Sequence, residues 1–243
     1  MGYKGASVYD NHEFFESYLA RRNREMSPNN IIEKPVLLEL LGDVTGKQVV
    51  DLGCGEATIG QELLQHGCFF YEGVEGSNKM VEKAKEVLAE TNSIIHHSSI
   101  ESWDFPGMKY DLAISRMALH YLEDLAPVFT NIYRSLKDNG QFVFSVQHPV
   151  LTSSVMSASH SPKRTNWIVD DYFDIGERKE LWINKEVIKY HRTVEEYFRL
   201  LKGAGFKIED LRECSPTFES FENEEEYIRR KRIPLFLIFS CNK

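Results

Sequence analysis

The sequence predicts an α/β fold in which helices cover both faces of a mostly parallel sheet. From Lys47 onward, short apolar runs alternate with amphipathic segments over about 100 residues. A glycine-rich turn follows the first apolar run directly. Alternating strands and helices require crossover connections, which bring successive strands into parallel pairing.

The individual elements follow from hydrophobic periodicity and from capping residues. The predicted strands cover 47–52, 68–75, 93–99, 110–115, 141–147, 206–214 and 233–241. The predicted helices cover 8–24, 30–41, 57–67, 77–90, 125–140, 193–205 and 218–232. Glycines end several helices and Ser77 is a plausible N-cap. Pro35 either interrupts its helix or marks the real start of that helix.

The segment 148–191 breaks the alternation. It contains Pro149, Trp167 and Trp182 and is too long for an ordinary connection. We therefore expect a lid or substrate-side insertion over 148–191 and a helical cap over 1–41. Both belong to a single predicted domain that spans 1–243.

Composition and charge exclude several classes of protein. The chain has 243 residues, with 29 Lys and Arg against 37 Asp and Glu, so its net charge is −8. An acidic total argues against broad nucleic-acid binding. Since no run of 18 apolar residues and no signal-peptide core occurs, we expect no membrane span. The four cysteines are far apart in the sequence and form no C-x-x-C pair. This spacing favours reduced thiols, which fits a cytoplasmic protein, and it argues against a zinc site.

The segment VVDLGCGEATIG (49–60) carries the clearest functional signal. Glycines after a strand let the backbone approach a nucleotide-like ligand. A dinucleotide motif would need a glycine at Thr58. Asp51, two residues before Gly53, would repel a pyrophosphate but suits a ligand that carries an ammonium and a sulfonium. Glu75 lies 22 residues after Gly53, where a carboxylate binds ribose hydroxyls.

This segment resembles the first motif of class I S-adenosylmethionine-dependent methyltransferases. The stretches SRMALHY (115–121), FSVQHPV (144–150) and KYHRTVEEY (189–197) are similar to the small-molecule, Methyltransf_11-like branch. The resemblance is strong over roughly 40–148. It implies a Rossmann-like, doubly wound sheet of seven strands, mostly parallel with the last strand antiparallel. It also implies S-adenosyl-L-methionine as cofactor and S-adenosyl-L-homocysteine as product.

The resemblance also implies a set of cofactor-binding residues. The glycine turn would line the methionine part, Asp51 would support its amino group, and Glu75 would bind the ribose. Ser99 falls at the adenine position, where an Asp is frequent in the family. The full set is Tyr9, Tyr18, Asp51, Gly53, Cys54, Gly55, Glu75, Gly76, Met80, Ser99, Ile100, Ser115, Arg116, Met117 and His120.

Methyl transfer is an in-line displacement that needs a base only when the acceptor must lose a proton. The candidate catalytic residues are His148, His120 and Tyr9. His148 lies at the C-terminal end of the fifth strand, where sites are built. For His120, contact with the site and packing on the sheet remain equally open. His191 either contacts the substrate or orients the insertion.

Two further groups of side chains have open interpretations. The aromatic residues of the insertion form either a wall over the acceptor or a small core of their own; they are Trp167, Tyr172, Phe173 and Trp182. The basic runs RRNR (21–24) and RRKR (229–232) either bind phosphates or form solvated helix faces; because each lies among acidic neighbours, we favour solvated faces.

The leading hypothesis is an enzyme that methylates N or O of a small-molecule acceptor, with no DNA and no membrane as partner. The alternatives are a non-catalytic cofactor-binding module and a tRNA- or protein-directed methyltransferase. A nicotinamide-dependent oxidoreductase is disfavoured by Thr58 and Asp51. The sequence specifies neither the acceptor nor the oligomeric state.

Overall fold

A computed structural model describes residues 2–22, 24–158 and 166–243. In these ranges the strands are β1 (Gln48–Leu52), β2 (Phe70–Glu75), β3 (Ser93–His97), β4 (Tyr110–Arg116), β5 (Leu136–Gln147), β6 (Gly176–Trp182), β7 (Lys185–His191), β8 (Lys207–Arg212) and β9 (Phe236–Asn242). The helices are α1 (His12–Arg22), α2 (Lys34–Leu41), α3 (Thr58–Gln65), α4 (Asn78–Val87), α5 (Ala126–Ser135), α6 (Pro149–Thr152), α7 (Val194–Ala204) and α8 (Glu224–Arg230).

Seven strands form one sheet in the order β3-β2-β1-β4-β5-β9-β8. β9 runs antiparallel to both of its neighbours, and the other six strands share one direction. The predicted Rossmann-like sheet, mostly parallel with its last strand antiparallel, is therefore confirmed. The strand order reverses between β1 and β4, and open α/β sheets bind ligands beside the strand ends at such a point.

Apolar side chains cover both faces of this sheet. On one face, α5 and α7 pack against an aromatic layer that includes Phe142, Phe144 and Phe239. On the other face, α2, α3 and α4 pack against a second cluster that includes Tyr71. Gly60 in α3 lies so close to the sheet that a Cβ there would come within 2.3 Å of the Tyr71 ring. This glycine therefore serves helix packing.

The N-terminal region differs in detail from the single helix predicted over 8–24. A 3-10 turn covers Gly5–Asp10, and α1 begins afterwards because the Asn11 side chain accepts a hydrogen bond from the Phe14 amide at 3.1 Å. A π-helical turn, Asn29–Glu33, precedes α2, and Pro35 lies in the first turn of α2. Of the two alternatives for Pro35, interruption of a helix or the start of one, the structure shows the start.

Two predicted helices are shorter than expected. The helix predicted over 125–140 ends at Ser135, because Leu136 is fully buried and already pairs with Tyr110 in the sheet. The helix predicted over 218–232 is confined to α8, because Asn223 caps the Glu226 amide at 2.8 Å.

The predicted insertion folds mainly as a β-hairpin. β6 and β7 pair antiparallel across a two-residue turn, in which Ile183 and Asn184 both have positive φ; such turns match the twist of the flanking strands. Tyr3 pairs with β7 through hydrogen bonds to Glu186 and Ile188 at 2.9 and 3.0 Å. Residues 159–165 of the insertion lie outside the described ranges. Within those ranges, no helix is both long and apolar enough to span a bilayer.

Candidate functional site

A cavity of about 1250 Å³ opens beside the C-terminal ends of β1, β2 and β4. Ligand pockets usually measure about 300–1000 Å³, so this cavity has room for two small ligands side by side. The N-terminal segment, the hairpin and α8 form its outer walls. The predicted site residues that line it are Tyr9, Tyr18, Gly53, Gly55, Glu75, Gly76, Met80, Ser99, Ile100, Arg116, Met117 and His120.

The glycine turn shapes the floor of the cavity. Gly53 has φ +77°, and a Cβ there would lie 2.4 Å from the Ala118 side chain, so only glycine fits without a shift. Gly55 has φ +57°, and a Cβ there would meet nothing within 4 Å. The backbone of Gly55 therefore has open space beside it, which a ligand can approach.

Glu75 ends β2 at the rim of this turn, and its side chain is almost fully buried. Its Oε2 accepts a hydrogen bond from the Gly55 amide at 3.0 Å, and its Oε1 accepts one from the Ser77 amide at 2.8 Å. Burial raises the pKa of this carboxyl, and the backbone donors oppose that shift. Because each carboxylate oxygen has two lone pairs, both oxygens can also accept a ligand hydroxyl.

Three predicted cofactor residues lie behind the cavity wall. Asp51 is fully buried, accepts a hydrogen bond from the Tyr71 hydroxyl at 2.7 Å, and has its pKa raised to about 7 by burial. Ser115 donates to the Leu52 carbonyl at 2.7 Å. Cys54 packs its sulfur over Gly73. These three residues are not among those that line the cavity, so they support the turn from beneath.

The two candidate histidines have different surroundings. His120 lines the cavity and is buried, and burial, with added repulsion from Lys189 and Arg192, holds its pKa well below the ordinary range. His148 does not line the cavity. Its Nδ1 accepts from the Val150 amide at 3.1 Å, and its Nε2 lies 2.9 Å from a Glu213 oxygen. The His148 ring thus caps α6, which leaves neither nitrogen available to act as a base in the cavity.

Aromatic rings from the N-terminal segment and the hairpin meet at the cavity wall. The Tyr9 and Tyr18 ring centroids lie 4.8 Å apart, and Tyr18 lies 5.6 Å from Trp182, in each case edge to face. Burial raises the pKa of Tyr9, so its hydroxyl stays protonated at neutral pH. Trp167 and Trp182 line the cavity, which matches the first alternative proposed for the aromatic residues of the insertion.

The remaining insertion residues are structural. The ring of Tyr172 packs on the His191 ring at 5.6 Å, and Phe173 is 86% exposed. The His191 nitrogens bond to Thr152 Oγ1 at 2.6 Å and to the Tyr172 carbonyl at 2.9 Å. Both ring nitrogens of His191 are therefore used within the insertion. Of the two proposed roles, this supports orientation of the insertion rather than substrate contact.

Sequence reasoning missed a buried ion pair beneath the cavity. Glu33, on the π-helical turn, is fully buried; its Oε2 pairs with Arg116 Nε at 2.6 Å, and its Oε1 accepts from Ser145 Oγ at 2.6 Å. Arg116 also donates to the Asn29 carbonyl at 2.6 Å. This pair fastens the N-terminal cap to the ends of β4 and β5. No sequence signal distinguishes Glu33 from an ordinary polar position on a helix.

The basic runs were interpreted as solvated faces, and that interpretation is wrong for several of their residues. Arg22, Arg229 and Arg230 line the cavity and are only partly exposed. Arg229 and Arg230 both pair with Glu226, at 2.5 and 2.8 Å. Local sequence could not indicate this, because the ends of α1 and α8 are brought to the same cavity only by the tertiary fold.

Metal-binding geometry is absent from the part of the chain that the structure describes. No group of three or more His, Cys, Asp or Glu side chains there is arranged to hold a metal ion.

The architecture defines the class: a seven-stranded α/β fold with a glycine turn and an acidic strand end facing one large cavity. A methyltransferase-domain family model matches residues 18–211. The chain is 33% identical to a Mesorhizobium loti protein solved as an S-adenosylmethionine-dependent methyltransferase, with a TM-score of 0.78 over 87% of this chain and 97% of that one.

Two curated relatives are similar to most of the chain, and one of them is named as a methyltransferase. A Haemophilus influenzae protein of uncharacterised function is 32% identical over 217 residues, which is 85% of each chain. A malonyl-[acyl-carrier protein] O-methyltransferase from Acetivibrio thermocellus is 26% identical over 79% of this chain and 66% of that protein. The chain therefore belongs to the class I S-adenosylmethionine-dependent methyltransferases, and S-adenosylmethionine is its cofactor.

Proposed function

We propose that this protein transfers the methyl group of S-adenosylmethionine to N or O of a small-molecule acceptor. One observation carries the proposal: a single cavity is lined both by the glycine turn with Glu75 and by Trp167, Trp182 and Arg22. A volume of about 1250 Å³ can hold cofactor and acceptor together, as direct transfer requires.

In this proposal the cofactor lies along the turn. The Glu75 carboxylate accepts the ribose hydroxyls, and the open face of Gly55 lies against the methionine part. Ser99 and Ile100 contact the adenine, and the remaining lining residues of this end are Tyr9, Tyr18, Gly53, Gly76, Met80 and Met117. Asp51 acts from behind, by holding Tyr71 and the turn in place.

The cofactor supplies a methyl group on a sulfonium, so that the S–CH3 bond breaks, an X–CH3 bond to the acceptor atom forms, and the electron pair of the broken bond stays on sulfur. The protein mainly positions the acceptor and excludes water. Trp182, Tyr9 and Tyr18 form a continuous aromatic wall suited to the second task. His120 is the histidine of the predicted catalytic set that lines the cavity, and its Nδ1 has no partner among the described residues.

The relatives named malonyl-[acyl-carrier protein] O-methyltransferase favour oxygen as the methylated atom. The second candidate function is a protein-directed methyltransferase, because the names of those relatives refer to a group carried on a protein. All four cysteines are unpaired, which supports the proposed cytoplasmic location.

The test is transfer of label from methyl-labelled S-adenosylmethionine to a clarified bacterial extract that retains its small metabolites. The mixture is then separated at a size limit of a few kilodaltons, and unreacted cofactor is removed from the small-molecule fraction by chromatography. We expect labelled product in the small-molecule fraction, and none with Glu75→Ala. Label in RNA or in protein would overturn the small-molecule assignment. S-Adenosylhomocysteine binding without turnover of any fraction would favour a non-catalytic module.

A further inference from the structure

Six arginines line the cavity. They are Arg21, Arg22, Arg24, Arg116, Arg229 and Arg230. The lining also contains six carboxylates, those of Asp10, Glu75, Glu101, Glu123, Glu180 and Glu226. What an arginine can bind therefore depends on whether one of these or another carboxylate already pairs with it.

Most of the deeper arginines have a carboxylate of their own. Arg116 is paired with Glu33, and Arg230 is paired with Glu226. Arg22 differs from them. No carboxylate among the described residues lies within ion-pair distance of its guanidinium, and its buried Nη1 has no hydrogen-bond partner there.

The neighbours of Arg22 make this arrangement unfavourable without a ligand. Its positive charge is close enough to Arg116 to lower the pKa of that guanidinium, an effect added to that of burial. A buried donor without a partner is destabilising, and more so when the group is charged. A ligand anion would remove both costs at once.

We infer that the acceptor carries an anionic oxygen group, a carboxylate or a phosphate, and that Arg22 binds this group in the cavity. The inference rests on the proposed function, since it names the class of acceptor for that site. A guanidinium offers paired N–H donors in a plane that matches either group. Arg22 is then a binding residue for the acceptor, beside the ion pair of Arg116 and Glu33.

The rest of the cavity is consistent with such an acceptor. When the bound anionic group is also the group that is methylated, its ionised oxygen is already a nucleophile at neutral pH and needs no general base. His120 and Tyr9, the candidate bases that line the cavity, are both held neutral by burial. The bound anion also balances the positive charge of the sulfonium that the cofactor brings into the same cavity.

The test is calorimetric titration of the full chain with malonate and with inorganic phosphate, each with and without saturating S-adenosylhomocysteine. Malonamide, which is neutral, serves as the ligand control, and ionic strength is matched with KCl because exposed charges are screened by salt. We expect saturable binding of malonate or phosphate and none of malonamide. Malonate binding assigns a carboxylate, and phosphate binding assigns a phosphate.

Variants locate the anion. Arg22→Met should weaken anion binding at least tenfold, Arg22→Lys should weaken it less, and S-adenosylhomocysteine affinity should stay unchanged. Arg199→Met is the matched control, because Arg199 forms an exposed pair with Glu195 on α7, away from the cavity. Circular dichroism verifies that each variant is folded.

Two results would overturn the inference: neither anion binds to the wild type, or Arg22→Met binds as tightly as the wild type. Binding of S-adenosylhomocysteine without anion binding refutes this inference alone. Anion binding without S-adenosylhomocysteine binding refutes the proposed function and with it the identity of the anion as a methyl acceptor, and leaves Arg22 as an anion-binding residue only.

Discussion

The buried Glu33–Arg116 pair should stabilise the whole protein, because it joins the N-terminal cap to the sheet. Glu33 is fully buried and the Arg116 side chain is 6% exposed. Glu33→Ala leaves the Arg116 charge without its partner and removes the acceptor of the Ser145 hydroxyl. Breaking a buried ion pair from one side costs about 3–5 kcal/mol.

At about 2–4 °C per kcal/mol for a chain of this size, that loss lowers the thermal midpoint by roughly 6–20 °C. Urea denaturation followed by circular dichroism measures the free energy of unfolding directly. The double variant Glu33→Leu with Arg116→Met should lose less than Glu33→Ala alone, because no uncompensated charge stays buried.

The control for this prediction is Glu195→Ala, which breaks the exposed pair with Arg199 and should cost about 1 kcal/mol or less. A loss below about 1 kcal/mol for Glu33→Ala would refute the reasoning. A double variant whose loss equals the sum of the two single losses would refute it as well.

Three further predictions concern the glycine turn and the side-chain cap that His148 provides for α6. Gly53→Ala should cost about 1–3 kcal/mol in urea denaturation, since its Cβ would lie 2.4 Å from that of Ala118; unchanged stability would contradict the packing argument. The pKa of Asp51 is raised in the folded state to about 7, above its unfolded value, so its contribution to stability is full below about pH 4 and is lost as the pH rises towards 7. Asp51→Asn should remove this part of the decline, and an unchanged pH profile would contradict it. His148→Ala should destabilise α6 by about 0.5–2 kcal/mol through loss of the cap on Val150, with S-adenosylhomocysteine affinity unchanged; abolished binding would contradict this.

The sheet was predictable because its signals are local. Each parallel strand is a short apolar run and each helix has an apolar face. The order of elements could therefore be predicted from the periodicity of apolar residues alone. The errors lie where tertiary contacts override local preference. Leu136 continues a helical pattern, yet it is fully buried beside β4 and begins a strand.

The site was predictable only where one motif contains it. Gly53, Gly55 and Glu75 follow directly from the turn and the next strand end, and all three line the cavity. Arg22 and Glu33 could not be found this way, because their roles depend on how the N-terminal cap folds back over the sheet. The sequence located His148 correctly at the end of a strand, but it could not show that the His148 ring caps α6 instead of facing the cavity.

The central claim is that the cavity holds the cofactor beside the glycine turn, through Glu75. The most direct test is calorimetric titration with S-adenosylhomocysteine of the wild type, of Glu75→Ala and of Glu195→Ala as the control. We predict one site in the wild type and in the control, and a weakening of roughly 10–150-fold in Glu75→Ala, the equivalent of about 1.5–3 kcal/mol for hydrogen bonds to a charged group. Equal affinity in all three proteins, or no binding by the wild type, would contradict the account.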